Sequence, residues 1–168
     1  INITRINDGV KDGVTIDNIN NIPLELSISN SGQIEQDVEF AFDDDAVSGA
    51  ADSVQLTLSD VDLDELIIQE RSVTRPADNG IETINIVSEF KANAIDQFRA
   101  EDLQTLNITG NADLTFGQED IIYGPEIEEA IAYAPALENV AGSLENINAP
   151  GFTGNLDITL GAELNAVK

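Results

Sequence analysis

The chain has 168 residues, 42% hydrophobic and 5% aromatic, with 7 basic and 32 acidic side chains and a formal net charge of −25. Such a charge repels phosphate backbones and anionic headgroups, so no nucleic acid is expected as a partner, and no run approaches the ~18 apolar residues of a membrane span. Cys, His, Met and Trp are all absent, which excludes disulfides and thiolate or imidazole metal sites and leaves hard-cation chemistry through oxygen ligands.

The apolar content suffices for an aliphatic core of Ile, Leu, Val and Ala. Self-repulsion among the carboxylates costs stability. It is offset either by ionic strength, which screens beyond roughly 8–10 Å, or by bound divalent cations. A merely halophilic or very soluble protein is the plain alternative. The opening residues Ile1 to Arg5 lack both an initiator Met and the basic-then-apolar run of a signal peptide. A fragment or mature product is therefore expected.

Residues 1–50 are rich in Asn and Asp and carry no repeat. Asn7-Asp8-Gly9, Lys11-Asp12-Gly13 and Ser31-Gly32 mark turns, and residues 22–28 alternate apolar and polar positions with the period of a strand. A β-sandwich-like N-terminal portion is expected over 1–50, followed by a second portion over 51–168. Near the junction, Asp43, Asp44 and Asp45, together with Asp52, form a candidate calcium cluster; a solvated acidic loop is the other reading.

Strand alternation resumes at 54–58. Asp60, Asp62 and Asp64 follow, and in a strand they project from one face about 7 Å apart. Calcium takes six to eight oxygens, so these three need help from carbonyls or a neighbouring coil. They do not make an EF-hand, because Arg71 stands where the bidentate Glu belongs. A solvated face or a turn explains them equally well.

Repetition begins further on. Ile81-Glu-Thr-Ile-Asn-Ile86 recurs as Leu103-Gln-Thr-Leu-Asn-Ile108 and as Leu144-Glu-Asn-Ile-Asn-Ala149. Gly110-Asn-Ala-Asp-Leu-Thr-Phe-Gly117 recurs 44 residues later as Gly154-Asn-Leu-Asp-Ile-Thr-Leu-Gly161. A step of about 22 residues suits one coil of a parallel β-solenoid, in which stacking buries what a single coil cannot. Asn85, Asn107 and Asn148 are expected to point inward and form an amide ladder between coils. A duplicated hairpin within a sandwich is the alternative. Residues 90–98 carry apolar side chains at helical spacing and equally fit a turn plus a short outer strand. Residues 126–138 predict a short helix, stopped near Pro135 and inserted between coils. Asp113 and Asp157 occupy equivalent places in the two Gly-Asn-x-Asp units, as caps of backbone donors or as ligands.

No catalytic machinery is evident. Without His or Cys there is no ordinary base or nucleophile. Carboxylate pairs for glycoside hydrolysis are too abundant for any one to stand out, and seven cations are a poor match for acidic sugars. The chain is read as not an enzyme, with a carbohydrate-active enzyme the least favoured alternative.

The units Ala51-Asp-Ser-Val-Gln-Leu-Thr-Leu58, Gly80-Ile-Glu-Thr-Ile-Asn-Ile86, Leu103–Gly110 and Asn148–Leu156 resemble the β-rich regions of RTX-type S-layer and related calcium-binding surface proteins of Gram-negative bacteria. The resemblance covers roughly residues 50–168. It implies type I secretion, an extracellular cell-surface location, an acidic Cys-poor chain, and self-association into a lattice or filament on calcium. The chain departs from the family in having no Gly-Gly-x-Gly-x-Asp nonapeptide, so no ligand set transfers from that motif. The expectation is an all-β structural module of a surface layer, with an adhesin or binding module for a surface glycan or partner protein as the alternative.

Overall fold

The computed structural model describes residues 1–4, 13–31, 36–71, 79–117, 137–139 and 143–160. In chain order its strands are β1 (Asn2–Thr4), β2 (Val14–Ile19), β3 (Glu25–Ser29), β4 (Asp37–Phe42), β5 (Ser53–Ser59), β6 (Asp62–Glu70) and β7 (Thr83–Glu89). They continue as β8 (Asn93–Ala100), β9 (Thr105–Gly110), β10 (Leu114–Phe116), β11 (Leu137–Asn139), β12 (Asn146–Asn148) and β13 (Leu156–Ile158). A 3-10 turn spans Asp44–Ala46, and no α-helix occurs among the described residues.

The strands form two sheets. One runs β1-β3-β5-β7-β9-β12; the other runs β13-β10-β8-β6-β4-β2, with β11 also on β8. Every pairing is parallel. Up to β10 the chain changes sheet at each successive strand, so two strands make one circuit.

Period-two alternation drives this. In β5, Val54, Leu56 and Leu58 are buried, and in β7, Ile84, Ile86 and Ser88 are, while their neighbours face outward. Parallel register then stacks like on like. Val54, Ile84, Leu106 and Ile147 form one column, and Leu26, Leu56, Ile86 and Ile108 another. The other sheet contributes Val38, Leu66, Phe98 and Leu137, and also Leu63, Ile95, Phe116 and Ile158. A single hydrophobic cluster takes side chains from both sheets, and Phe98 and Phe116 meet within it at 5.5 Å between ring centroids. Burying each such side chain contributes about 1.5–3 kcal/mol, so stacking is the main source of stability.

One crossing between the sheets repeats a backbone device. β3, β5, β7 and β9 end in left-handed residues, namely Asn30, Asp60, Phe90 and Gly110. Asn, Asp and Gly take that conformation readily, whereas a bulky side chain is strained there. Buried polar side chains close the same crossing. Asn93 accepts the Val61 N–H at 3.0 Å and donates to Ser88 Oγ at 2.8 Å and to the Lys91 carbonyl at 3.0 Å. Ser88 Oγ in turn donates to the Ala112 carbonyl at 3.0 Å.

The strands expected at 22–28 and 54–58 overlap β3 and β5, and the repeated units at 81–86, 103–108 and 144–149 fall on β7, β9 and β12. The 22-residue step holds where Thr83 pairs with Thr105, and the third copy follows it, Thr105 pairing with Asn146. Earlier in the chain the connections lengthen the step, with Glu25 beside Gln55 and Asp62 beside Ala94, whereas Asn93 lies beside Leu114. The Gly-Asn-x-Asp repeat is out of register by two residues, since Leu114 pairs with Leu156 rather than with Ile158. Residues 90–98 take the turn-plus-strand form. The asparagine ladder exists, but on the outer face: Asn107 Nδ2 donates to Asn85 Oδ1 at 2.9 Å, and Asn148 Nδ2 to Asn107 Oδ1 at 3.0 Å.

Across the expected boundary near residue 50 both sheets are continuous, with β3 paired to β5 and β4 to β6. The helix expected over 126–138 lies outside the described residues except for Leu137 and Glu138, which belong to β11. β10 and β11 both pair with β8, at Asn93–Ile95 and Phe98–Ala100.

Substitutions at the crossing test the account. An added Cβ at Gly110 would lie 2.0 Å from the Ser88 carbonyl oxygen, whereas at Gly151 nothing stands within 4 Å. Both have positive φ, so Gly151→Ala is expected to cost roughly the 1–2 kcal/mol left-handed penalty and Gly110→Ala clearly more. Phe90, at φ 68° and 81% exposed, should relieve strain when replaced: Phe90→Asn is expected to gain about 1 kcal/mol in urea unfolding.

Candidate functional site

At the opposite crossing the chain leaves β4, β6 and β8 and enters β5, β7 and β9. Asp43, Asp44, Asp45, Asp52, Glu70, Glu82, Glu101 and Asp102 all fall there, an acidic corner running along the stack.

Two glutamates face inward. Alternation from Leu66 and Ile68 turns Glu70 toward the core, where register places it in one column with Ile19 and Phe42. It is 6% exposed. Its N–H donates to Glu101 Oε2 at 3.1 Å, and its Oε1 is buried without a hydrogen-bond partner. Burial, then the hydrogen bond to Asp44 and its charge, then the charge of Glu101, push the Glu70 pKa up to about 7. Glu82 is 4% exposed, and its Oε2 accepts the Asp52 N–H at 2.6 Å. Burial raises its pKa against the lowering effect of backbone donors, with the charges of Asp52 and Asp102 adding to the rise.

The expected metal residues divide between the two crossings. Asp44 and Asp52 lie beside Glu70 and Glu82. Asp43 Oδ1 stands 3.8 Å from Arg71 Nη1, while Arg71 Nε is 2.9 Å from Asp17. Asp45 is exposed on the 3-10 turn, and Asp52 Oδ2 accepts the Gly49 N–H at 3.0 Å. Asp60, Asp62 and Asp64 sit at the other crossing and do not share one strand face. Asp60 is a left-handed turn residue before β6 and pairs with Lys91 Nζ at 2.6 Å. Asp62 opens β6, held by Ser31 through its backbone N–H at 2.7 Å and its carbonyl at 3.1 Å. Among the described residues, no group of three or more acidic side chains stands so that it could hold a metal ion.

Asp113 has a local role. Its Oδ1 accepts the backbone N–H of Asn155 at 2.7 Å and the side-chain amide at 3.1 Å, and these bonds lower its pKa. It ties β10 to the strand beyond and is aligned with Asn155, not with Asp157.

The outer faces of the two sheets differ in charge. The six-stranded sheet presents Ser27, Ser29, Ser53, Gln55, Thr57, Thr83, Asn85, Thr105, Asn107, Thr109 and Asn148, with Glu25 and Glu89 its charged members. The other presents Asp17, Asp37, Glu39, Asp62, Asp64, Glu65, Asp96 and Arg99. A shallow groove beside Arg99 and Glu101 encloses about 0 Å³, too little for even one water molecule, far below the ~300 Å³ lower end of small-molecule sites.

Sequence reasoning missed Glu70 and Glu82. The signal for Glu70 was present: it is the third member of the inward series Leu66, Ile68, Glu70. Glu82 follows buried Ile81 at the start of a strand, where alternation does not fix its direction. Comparison with known proteins finds no matching family model, no similar curated protein and no similar solved structure.

Glu82 provides a test. Glu82→Ala leaves the Asp52 N–H without its acceptor and is expected to cost about 1–3 kcal/mol in chemical denaturation. Glu82→Gln keeps an acceptor oxygen and removes the charge. Because the folded state binds the Glu82 proton more tightly than the unfolded chain, wild-type stability falls as pH rises above the unfolded value of 4.5. The Gln variant is expected to lose less over that range.

Proposed function

We propose that this chain is a structural module of a secreted bacterial surface-layer protein, a β-solenoid that self-associates on calcium at the cell surface. Strands that alternate between two parallel sheets, with aliphatic columns in register, support the solenoid reading: each circuit acts as one coil and stacks on the next. The resemblance of residues 50–168 to RTX-type surface proteins supports the extracellular assignment.

The observation that carries self-association is the uneven distribution of charge. Copies with a net charge of −25 repel one another, and juxtaposed like charges cost several kcal/mol. The outer face of the six-stranded sheet is nearly free of charge and is where two copies approach at least cost. Charged residues are depleted from interface centres for the same reason. Calcium then acts between the acidic corners of neighbouring copies, where carboxylates from two chains supply the six to eight oxygens that no single corner assembles. The same face of hydroxyls and amides also suits a glycan, which keeps an adhesin as the second reading.

Light scattering and thermal melting in calcium, in magnesium and in chelator test the proposal. Calcium is expected to drive association and to raise the melting temperature, with about 2.7 kcal/mol of stabilisation at a hundredfold excess over Kd. Thr105→Asp on the neutral face should weaken association while the monomer keeps its circular dichroism spectrum. Specific glycan binding by a chain that stays monomeric in calcium would favour the adhesin instead.

A further inference from the structure

We propose that copies of this chain join end to end, the outer edge of β12 in one pairing in parallel with β1 of the next. The asparagine ladder then runs on from Asn148 to Asn2 of the neighbouring copy. This rests on the self-association in the surface-layer reading and names a second contact for it, along the stack rather than between neutral faces.

The two edges are open and complementary. β1 and β12 are the end strands of the six-stranded sheet, and an end strand presents N–H and C=O groups that template another strand. The Asn146 N–H donates to the Gln104 carbonyl at 3.1 Å, and the Ile1 carbonyl accepts the Ser27 N–H at 2.8 Å. Backbone groups alternate sides along a parallel strand, which leaves the Ile147 carbonyl on the outer edge of β12 and the Asn2 N–H on the outer edge of β1. Setting Asn148 beside the next copy's Asn2 brings these two groups together. It also sets Ile147 beside Ile1, so apolar side chains stay on the inward face.

The side-chain ladder has a direction and ends on an open acceptor. Asn85 donates to Ser53 Oγ at 3.1 Å, Asn107 to Asn85 at 2.9 Å and Asn148 to Asn107 at 3.0 Å. Asn148 Oδ1 then accepts no hydrogen bond among the described residues. β1 holds the matching donor. Asn2 Oδ1 accepts the Thr4 hydroxyl at 3.2 Å, and Asn2 Nδ2 has no acceptor among the described residues. The surrounding Ile1-Asn2-Ile3-Thr4 repeats the ladder unit Leu106-Asn107-Ile108-Thr109. Within its own copy, however, Asn2 aligns with Ser27, Thr57 and Val87, a column two residues from the ladder. Its asparagine partner is therefore supplied by another copy.

Burial and charge favour the same joint. Ile1 is 42% exposed, and Ile3 and Ile147 are only partly buried at the two ends of the sheet. Neither β1 nor β12 contains a charged side chain, so chains of net charge −25 meet there without a carboxylate in either strand. The joint accordingly needs no calcium. Because the joined surfaces differ, the contact is heterologous and repeats from copy to copy into a filament.

The chain has no cysteine, so site-specific cross-linking reads the joint directly, neighbouring strands lying within the disulfide range of about 4.4–6.8 Å between Cα atoms. Asn2→Cys and Asn148→Cys copies, mixed in chelator under a mild oxidant, are expected to give a cross-linked dimer that neither variant gives alone. A chain carrying both substitutions should give a series of higher oligomers. In the unsubstituted chain, the Asn2 amide should gain about tenfold protection from hydrogen exchange as concentration rises. Three results would each overturn the inference: no cross-link in the mixture, equal cross-linking of either variant by itself, or Asn2 protection that does not change with concentration. The last would mean that the edge is covered within one copy. Thr105→Asp on the neutral face should leave the cross-link unchanged. Association in calcium without the cross-link thus counts against this inference alone, and the cross-link without any response to calcium counts against the surface-layer reading alone.

Discussion

A single strand of this chain cannot bury its own apolar side chains, and the rest of the structure depends on that constraint. Each strand contributes about three inward residues, and these are covered only when a like strand pairs alongside and the opposite sheet closes over them. Parallel pairing satisfies both needs, because it keeps Val54, Ile84, Leu106 and Ile147 at one height in the sheet. A slip of one residue would turn every aliphatic side chain outward. The register is thus fixed by burial, and the polar columns inherit it. The asparagine ladder is a consequence of aliphatic stacking as much as a support for it.

The same constraint sorts the charge. Inward columns are reserved for apolar side chains, and the outer face of the six-stranded sheet is occupied by hydroxyl and amide ladders. The carboxylates are left to the other outer face and to the two crossings. At one crossing an aspartate pairs with Lys91 and neutral Asn and Ser side chains satisfy the buried backbone. At the other, Glu70 and Glu82 are drawn inside with acids for neighbours. Exposed ion pairs such as Arg71 with Asp17 contribute at most about 1 kcal/mol, so they do not balance a net charge of −25. Burial raises the Glu70 pKa to about 7, so proton uptake there relieves part of that stress.

Much of the fold was legible in the residues. Alternation located most strands of the six-stranded sheet, and the repeated apolar-x-Thr-apolar-Asn-apolar unit set the register from β7 to β9 and on to β12. Alternation also carried information that was not drawn on: Asn85 lies between Ile84 and Ile86 and must therefore face outward. Other features left no local trace. β2 and β4 share no motif with later strands, because burial asks only for apolar side chains at alternate positions, and connections of unequal length hide the period. The Gly-Asn-x-Asp repeat misled by two residues because Gly110 ends β9 with positive φ, whereas Gly154 has none and stands beside Ala112. The candidate site was half legible. Clustered aspartates marked the corner, but the residues with the most unusual chemistry are single glutamates inside otherwise ordinary strands.

The central claim is parallel, in-register stacking, and solution NMR of amide and methyl contacts tests it most directly. The account predicts cross-strand contacts linking Ile84 to Leu106 and Leu106 to Ile147, together with amide contacts from Asn85 to Asn107 and from Asn107 to Asn148. Contacts of an antiparallel pattern between residues 83–89 and 105–110, or a register shifted by one residue, would contradict it.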